Sequence, residues 1–264
     1  MGVLTLPLWE AIAVGCLAGL TGTLMVLGRR VFFAESISHG TFPGAVLGVV
    51  VANALGTHLG TGLMVGSFLA CLPLAYLMHR LAAVPGVSST AAAGTTLTLG
   101  FALGIVALRW FQPLPLHVDS FLVGSLTTVD GRDVAVATGL VVLSLAVVVP
   151  ARRRLVQFYF APDTVPHTRV YDALTLGLIC ITMAAIIPAV GTILSLALLV
   201  APAASLRPWV RQPDTLLVAS AAAGIGIACV GLALATVAEL SAGGCIAVLA
   251  GVFYLGSRGL RAVI

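Results

Sequence analysis

Seven long stretches of this chain contain no aspartate, glutamate, lysine or arginine. A helix that crosses a membrane needs about 20 mostly apolar residues, with about 17 as the practical minimum, and every stretch reaches that minimum. Apolar residues make up 60% of the chain and charged residues 8%, against about 45–50% and about 25% in a soluble domain. This composition excludes a soluble enzyme and predicts an all-α polytopic membrane protein with a single transmembrane domain over residues 1–264. The uncharged stretches are 11–28, 36–79, 81–108, 134–151, 173–206, 215–238 and 240–257.

Two of these stretches are long enough to contain more than one helix. Stretch 36–79 is expected to break at residues 53–58. Stretch 173–206 is expected to fold back near residues 188–191, either as two short spans or as one span with a re-entrant piece. Arginine-rich loops favour the cytoplasmic side of a membrane, and placing 11 of the 13 arginines there requires nine crossings. The N-terminus then lies outside and the C-terminus in the cytoplasm; eight crossings result if stretch 173–206 does not cross twice.

The basic residues are all arginine, 13 in number, and the chain contains no lysine. A Walker A phosphate loop needs its lysine beside the β- and γ-phosphates, and Schiff-base chemistry needs a lysine amine. The chain is therefore not expected to hydrolyse ATP itself. Its net charge of +4 does not indicate a nucleic-acid partner, because the arginines lie between apolar runs.

An acid and a histidine lie within the second predicted span. Glu35 and His39 are four residues apart, so their side chains project from the same face of a helix. At 1.5 Å per residue from a helix start near Arg30, they lie about 7 and about 14 Å into the membrane, where ionisable side chains are costly and usually mark a pathway or a site. A carboxylate and an imidazole, with Ser38 beside them, can hold a divalent transition metal. The residues alone leave a second interpretation open, a buried Glu–His hydrogen bond that holds helices together.

Glycines recur at four-residue spacing in several of the uncharged stretches. This spacing places small residues on one helix face and lets two backbones approach closely in a membrane, so it predicts a compact helical bundle. The sets are Gly15/Gly19, Gly40/Gly44/Gly48, Gly62/Gly66 and Gly100/Gly104.

Two further segments are candidate functional sites. Residues 152–172 form a predicted cytoplasmic loop that mixes arginines, aromatic residues and two prolines. Such a loop either anchors to anionic lipid or docks a soluble partner. Glu239 lies at a predicted outer turn after a long apolar run, and it is interpreted either as a surface acid or as a residue of a transport pathway.

Three segments resemble the membrane permeases of ATP-binding-cassette importers for zinc, manganese or iron. Residues 27–44 are similar to the family pattern of Arg-Arg followed by acid-x-x-Ser-His-x-x-x-Pro-Gly. Residues 119–125, Asp-Ser-Phe-Leu-Val-Gly-Ser, are similar to a Phe-Leu-Phe-Gly-Ser segment. Residues 189–204 give the most specific of the three matches. With the helices between them, the resemblance covers nearly the whole chain.

The resemblance implies a permease in the bacterial cytoplasmic membrane that moves a divalent zinc, manganese or iron ion as cargo and holds no permanent cofactor. It implies a homodimer, or a pair of related permeases, working with a cytoplasmic ATP-binding subunit and an extracytoplasmic metal-binding protein. By position, the family's acid and histidine fall on Glu35 and His39. The loop that contacts the ATPase falls on residues 160–169. Its candidate contact residues are Phe160, Pro162, Asp163, His167 and Arg169.

The chain departs from the family pattern at three places. Glu35 stands where an aspartate is usual, and Glu239 matches an aspartate position near the last span only loosely. The loop over residues 160–172 is about four residues shorter than usual and contains Pro166. The sequence therefore leaves open how this loop contacts an ATPase.

Three other functions compete with metal-ion import. A permease for a metal chelate of the siderophore or cobalamin type would need no Glu–His pair among its pathway residues. An ion-coupled secondary transporter would work without ATP and would usually show two related halves, which the sequence does not display. An intramembrane metalloenzyme is disfavoured because the chain has no His-Glu-x-x-His motif.

Overall fold

The computed structural model describes residues 5–114, 124, 126 and 129–263, and in that part of the chain every regular element is a helix. The all-α prediction is therefore confirmed. Of the segment at residues 119–125, all but Gly124 lies outside the described residues. The longer helices are α1 (Thr5–Leu27), α2 (Val31–Gly40), α3 (Phe42–Ala54), α4 (Leu59–Ala82), α5 (Ser89–Trp110), α6 (Gly131–Phe160), α7 (Thr168–Val190), α8 (Thr192–Leu206), α9 (Pro213–Ala238) and α10 (Ala242–Val263).

Within the described residues, eight helical segments are long and apolar enough to cross a membrane. α2 and α3 form one of them, because the backbone stays helical through Thr41. The amide of Thr41 donates to the carbonyl of Ile37 at 2.9 Å, and the amide of Ala45 donates to the carbonyl of Thr41 at 3.0 Å. α8 has only 15 residues, about 22 Å, against a hydrocarbon core of about 30 Å. The described part of the chain thus has eight candidate spans and the shorter helix α8, and the direction of the termini stays a prediction.

The predicted interruptions fall where helices end. α3 ends at Ala54 and α4 begins at Leu59, which confirms the break at residues 53–58. α7 and α8 are separated by Gly191, whose φ of 96° and ψ of 157° suit glycine because it has no Cβ. The break predicted near residues 188–191 is therefore confirmed. α9 ends at Ala238, which confirms the turn predicted near Glu239.

Contacts divide the chain into two compact units. The first unit consists of Met1–Arg30 and Val123–Ile264, and the second of Val31–Leu122. This division into units does not decide how many domains the chain has. The single transmembrane domain stays a prediction.

In the first unit, α1 packs against four other helices, α6 to α9. A Cβ added at Gly15 would lie 2.6 Å from the carbonyl oxygen of Gly224 in α9. Gly19 likewise faces the backbone of α9, at Ser220. On another face of α1, the hydroxyl of Thr21 forms a hydrogen bond of 2.7 Å with the hydroxyl of Thr182 in α7. α1 is consequently buried along most of its length.

In the second unit, α3 and α4 meet backbone to backbone. A Cβ at Gly44 would fall on the carbonyl oxygen of Gly66, and one at Gly48 on that of Gly62. α5 meets α2 in the same way, because a Cβ at Gly100 would fall on the backbone of Gly40. The close approach expected from four-residue glycine spacing is confirmed in both units.

Candidate metal site and coupling loop

Glu35 and His39 lie in the second unit, on α2, and both are half-buried. Because the helix is continuous over both residues, their side chains leave the same face about one turn apart. A carboxylate and an imidazole on one helix face offer a cation one oxygen and one nitrogen ligand.

The imidazole of His39 rests against the ring of Phe101 on α5. The two ring centroids are 6.0 Å apart at an interplanar angle of 90°, the edge-to-face arrangement that aromatic pairs favour. Phe101 in turn stacks on Phe42, with centroids 5.8 Å apart and an angle of 27°. The ring of His39 is therefore held from one side by an aromatic pair.

Ser36 fixes the rotation of α2 against α5. Its buried hydroxyl donates to the carbonyl oxygen of Ala93 at 2.7 Å and shares its hydrogen with the carbonyl of Phe32 at 2.9 Å. A helix pinned at Ser36 cannot turn about its axis without breaking this bond. The directions of Glu35 and His39, which flank Ser36 on the helix, are set by the same contact.

Ser38, predicted beside the pair, is 1% exposed. Its carbonyl oxygen accepts a hydrogen bond from the hydroxyl of Thr41 at 3.0 Å. Ser38 is therefore part of the helix interior, while Glu35 and His39 keep partly accessible side chains.

Pro43 changes the hydrogen bonding of the residue that carries the imidazole. Proline has no amide hydrogen, so the carbonyl of His39 cannot receive the bond that residue 43 would supply in a regular helix. The imidazole and this carbonyl belong to the same residue, at the join of α2 and α3. The four-residue spacing of His39 and Pro43 in the sequence indicates this missing hydrogen bond.

Among the described residues, no group of three or more His, Cys, Asp or Glu side chains is placed to hold a metal ion. Glu35 and His39 thus form a two-residue set.

The candidate coupling residues lie where α6 passes to α7 in the first unit. Phe160 is the last residue of α6 and is exposed, and Asp163 is exposed as well. Pro162 begins a three-residue 3-10 turn, Pro162–Thr164. His167 is exposed, with φ 59° and ψ 44°, and caps α7. Arg169 is exposed in the first turn of α7 rather than in the loop.

Val165 anchors this short loop to the first unit. It is 7% exposed and belongs to a buried apolar cluster formed by α1, α6, α7 and α9. Between Phe160 and Thr168 the chain turns back, and the loop contains no helix longer than the single 3-10 turn. A force on the loop therefore acts directly on the ends of α6 and α7.

A polar network joins the same region to the end of α1. The guanidinium of Arg30 pairs with the carboxylate of Asp172 in α7. At the preceding residue of α7, Arg154 donates to the hydroxyl of Tyr171 at 3.1 Å. Arg30 directly precedes Val31, the first residue of α2, so the chain enters the candidate metal helix from a residue held by α7.

Glu239 is the C-cap of α9 in the first unit. It is exposed, and its φ of 55° and ψ of 37° place it in the left-handed region, where residues other than glycine are uncommon. Its position closes the helix and starts the turn to α10. A role for Glu239 in a transport pathway stays a prediction.

A family model described as the ABC 3 transport family matches residues 2–260. The chain belongs to the ABC 3 transport family. It is 25% identical over 252 residues to the manganese transport system membrane protein MntC of Halalkalibacterium halodurans, covering 94% of this chain and 83% of that one. It is 27% identical over 203 residues to the zinc transport system membrane protein TroC of Treponema pallidum, covering 74% and 67%.

The fold of this ABC 3 family member also matches a solved structure. PsaBC from Streptococcus pneumoniae, solved in complex with Fab, superposes with a TM-score of 0.83 at 24% identity, covering 97% of this chain and 91% of that one. The eight apolar segments and the family assignment agree with a multi-pass protein of the cytoplasmic membrane.

Sequence reasoning missed two features of this family member. The first is the contact of Phe101 with His39. Phe101 lies between Gly100 and Gly104, and the spacing of these glycines indicated a packed helix face but not which helix packs there. The Arg30–Asp172 pair joins residues 142 positions apart, and no local pattern reveals such a pairing. Asp172 ends the loop that the sequence singled out, so its position was the only available signal.

Proposed function

We propose that this chain is the membrane permease subunit of an ATP-driven importer that moves a divalent zinc, manganese or iron ion across the cytoplasmic membrane. The observation that carries the proposal is the Glu35–His39 pair, half-buried on one face of a candidate membrane span. The manganese and zinc relatives support the same class of cargo.

The site would hold the ion weakly, as transport requires. Carboxylate oxygen and imidazole nitrogen suit zinc, manganese and iron alike, and two ligands from each of two copies would surround one ion. Phe101 and Ser36 keep the ligands in one orientation, so binding would cost little side-chain entropy. Glu35 reaches one methylene further than the aspartate usual in the resemblance, which would change the size of the cavity and the preference for a metal.

The proposal includes the partners that such a permease needs. A second copy of this chain or a related permease would complete the path. A cytoplasmic subunit would hydrolyse ATP, and an extracytoplasmic protein would deliver the metal. The whole chain would act as one permease domain, with the N-terminus outside and the C-terminus in the cytoplasm.

Energy would enter at the loop between α6 and α7. Phe160, Asp163 and His167 are exposed there and would contact the ATPase, while Val165 ties the loop to the buried cluster. Movement of α7 would reach α2 through the Arg30–Asp172 pair, because Arg30 is covalently next to Val31. ATP binding would thereby change the position of the helix that carries Glu35 and His39.

The test is uptake and ATP hydrolysis by the reconstituted permease, ATPase and binding protein in vesicles. Glu35→Gln and His39→Ala remove one ligand each, and labelled zinc, manganese and iron are offered in turn. His79→Ala, at an exposed histidine in the last turn of α4, is the matched control. Glu239→Gln, run in parallel, decides whether that acid lines the path.

Both ligand variants are expected to assemble and hydrolyse ATP but to lose uptake of one ion by about tenfold or more, since loss of even an outer partner of a metal ligand costs about 10–100-fold. The ion that is lost identifies the cargo. Wild-type uptake of all three metals by both variants would refute the metal site and assign Glu35 and His39 to helix packing. Uptake that continues without ATP would refute the importer and favour a secondary transporter.

A further inference from the structure

An open apolar groove runs between α6 and α7 in the first unit. Its volume is ≈ 470 Å³. A single charged side chain, that of Arg169, lines it, and the other lining residues are apolar. These are Leu143, Val147, Val170, Ala173, Leu174, Gly177, Leu178 and Ile181.

The groove is about as long as one leaflet of a membrane is thick. From Arg169 to Ile181 it follows α7 for 12 residues, about 18 Å at 1.5 Å per residue. Half of a hydrocarbon core is about 15 Å. Gly177 lies two thirds of the way along it, and a Cβ added there would meet no atom within 4 Å. The groove is therefore open where a chain of methylenes would lie.

The charge of the groove is at one end. Arg169 lies in the first turn of α7, next to the loop between α6 and α7, and is exposed. Arg152 lies 4.0 Å from Asp214, and Arg154 bonds to the hydroxyl of Tyr171. No ion pair to Arg169 occurs among the described residues. An apolar channel with the guanidinium of Arg169 at one end matches the chemistry of a lipid, one acyl chain below one anionic headgroup.

We propose that this groove binds one acyl chain of an anionic phospholipid of the cytoplasmic leaflet, with the headgroup phosphate on Arg169. The leaflet follows from the topology given under the proposed function, in which the loop between α6 and α7 is cytoplasmic. Anionic lipids concentrate in that leaflet, and basic positions between spans on that side attract their headgroups. This gives Arg169 a role on the lipid side of α7 and leaves contact with the ATPase to the exposed residues of the loop.

Lipid retention by the purified chain tests the proposal without metal or ATP, so its outcome is separate from that of the uptake test. The protein in detergent is offered phosphatidylglycerol or phosphatidylcholine with identical chains, and bound lipid is counted by native mass spectrometry. Arg169→Gln removes the cation, with Arg261→Gln, an exposed arginine of α10 outside the groove, as the control. Gly177→Leu fills the groove, with Gly251→Leu as the control, because neither added Cβ meets a protein atom within 4 Å.

The wild-type chain is expected to retain phosphatidylglycerol over phosphatidylcholine, and Arg169→Gln to reduce that preference about fivefold, the effect of one interfacial arginine. Gly177→Leu is expected to reduce retention of both lipids, and both controls to behave as the wild type. Unchanged retention in Arg169→Gln and Gly177→Leu would overturn the proposal. A change in the mass of the oligomer with Gly177→Leu, and none in bound lipid, would also overturn it and assign the groove to a second copy.

Discussion

α1 and α4 have nearly the same length and mean hydropathy, yet protein covers them to very different extents. In the candidate membrane window of α1, 78% of the residues are buried, and in that of α4 only 17%. Hydropathy therefore indicates that both helices enter a membrane, but it does not indicate how much of each one contacts other helices.

The size of the side chains accounts for the difference. On α1, Gly19 meets the backbone of α9, Gly22 meets that of α8, and Thr21 bonds to α7. α4 makes its backbone-to-backbone contacts through Gly62 and Gly66, against α3. Lipid tails are as apolar as leucine, so helices associate where small residues let backbones approach. The rest of α4 carries large exposed side chains, Val65, Phe68, Leu69, Leu72 and Tyr76.

The largest effect is expected from leucine at these glycines. Gly19→Leu places its side chain on the backbone of α9, and α1 cannot retreat because α6 to α8 cover its other faces, so we expect a loss of about 3 kcal/mol or more. Gly66→Leu collides with α3 as well, but α4 is free to move outward and should lose less. Thermal unfolding in detergent measures both, and an equal or larger loss for Gly66→Leu would contradict the comparison.

A smaller effect is expected from the buried hydrogen bond on α1. Thr21→Val leaves the hydroxyl of Thr182 without this partner, and such bonds in membrane proteins contribute about 0.6 kcal/mol and at most about 1.7. Thr98→Val on α5 is the control, because its hydroxyl bonds only to its own helix and is exposed. A double-mutant cycle with Thr182→Val isolates the pair. A coupling energy of zero would mean that Thr21 is packed there without contributing a bond.

The ion pair between Arg30 and Asp172 should matter more for function than for stability. Both side chains are about one third exposed, 35% and 34%, so water screens the pair and we expect less than about 1 kcal/mol of stabilisation. Arg30→Asp or Asp172→Arg alone should separate ATP hydrolysis from uptake, and the double exchange should restore part of the coupling. If each single variant transports at the wild-type rate, α7 does not act on α2 through this pair.

The smallest effect is expected where glycine faces open space. Gly226→Ala on α9 and Gly94→Ala on α5 meet no atom within 4 Å, and alanine favours a helix by about 0.5–1 kcal/mol over glycine. Both variants should unfold at the same temperature as the wild type or slightly above it. A loss at either position would show that a contact outside the chain uses that face.

Local signals in the sequence were sufficient for the helices and their interruptions. Gly191 ends α7 because its backbone is left-handed, and the chain turns between Ala54 and Leu59 within a polar segment. The pairing of Glu35 with His39 followed from spacing alone. Ser36 with Ala93 and Arg30 with Asp172 are contacts between residues far apart in sequence, and their partners depend on how helices pack, which no local pattern encodes.

The enclosed position of α1 has a consequence for biosynthesis. Gly15 of α1 and Gly224 of α9, which meet backbone to backbone, are separated by about 200 residues of chain. At about 5–20 residues per second, the ribosome needs roughly 10 to 40 s to make that length. During this interval α1, whose window has the highest buried share of the candidate spans in the described residues, faces lipid or insertion machinery instead of its final neighbours. A newly made chain therefore depends longest on protection at its first span, and the last helices to emerge complete the cover of the first.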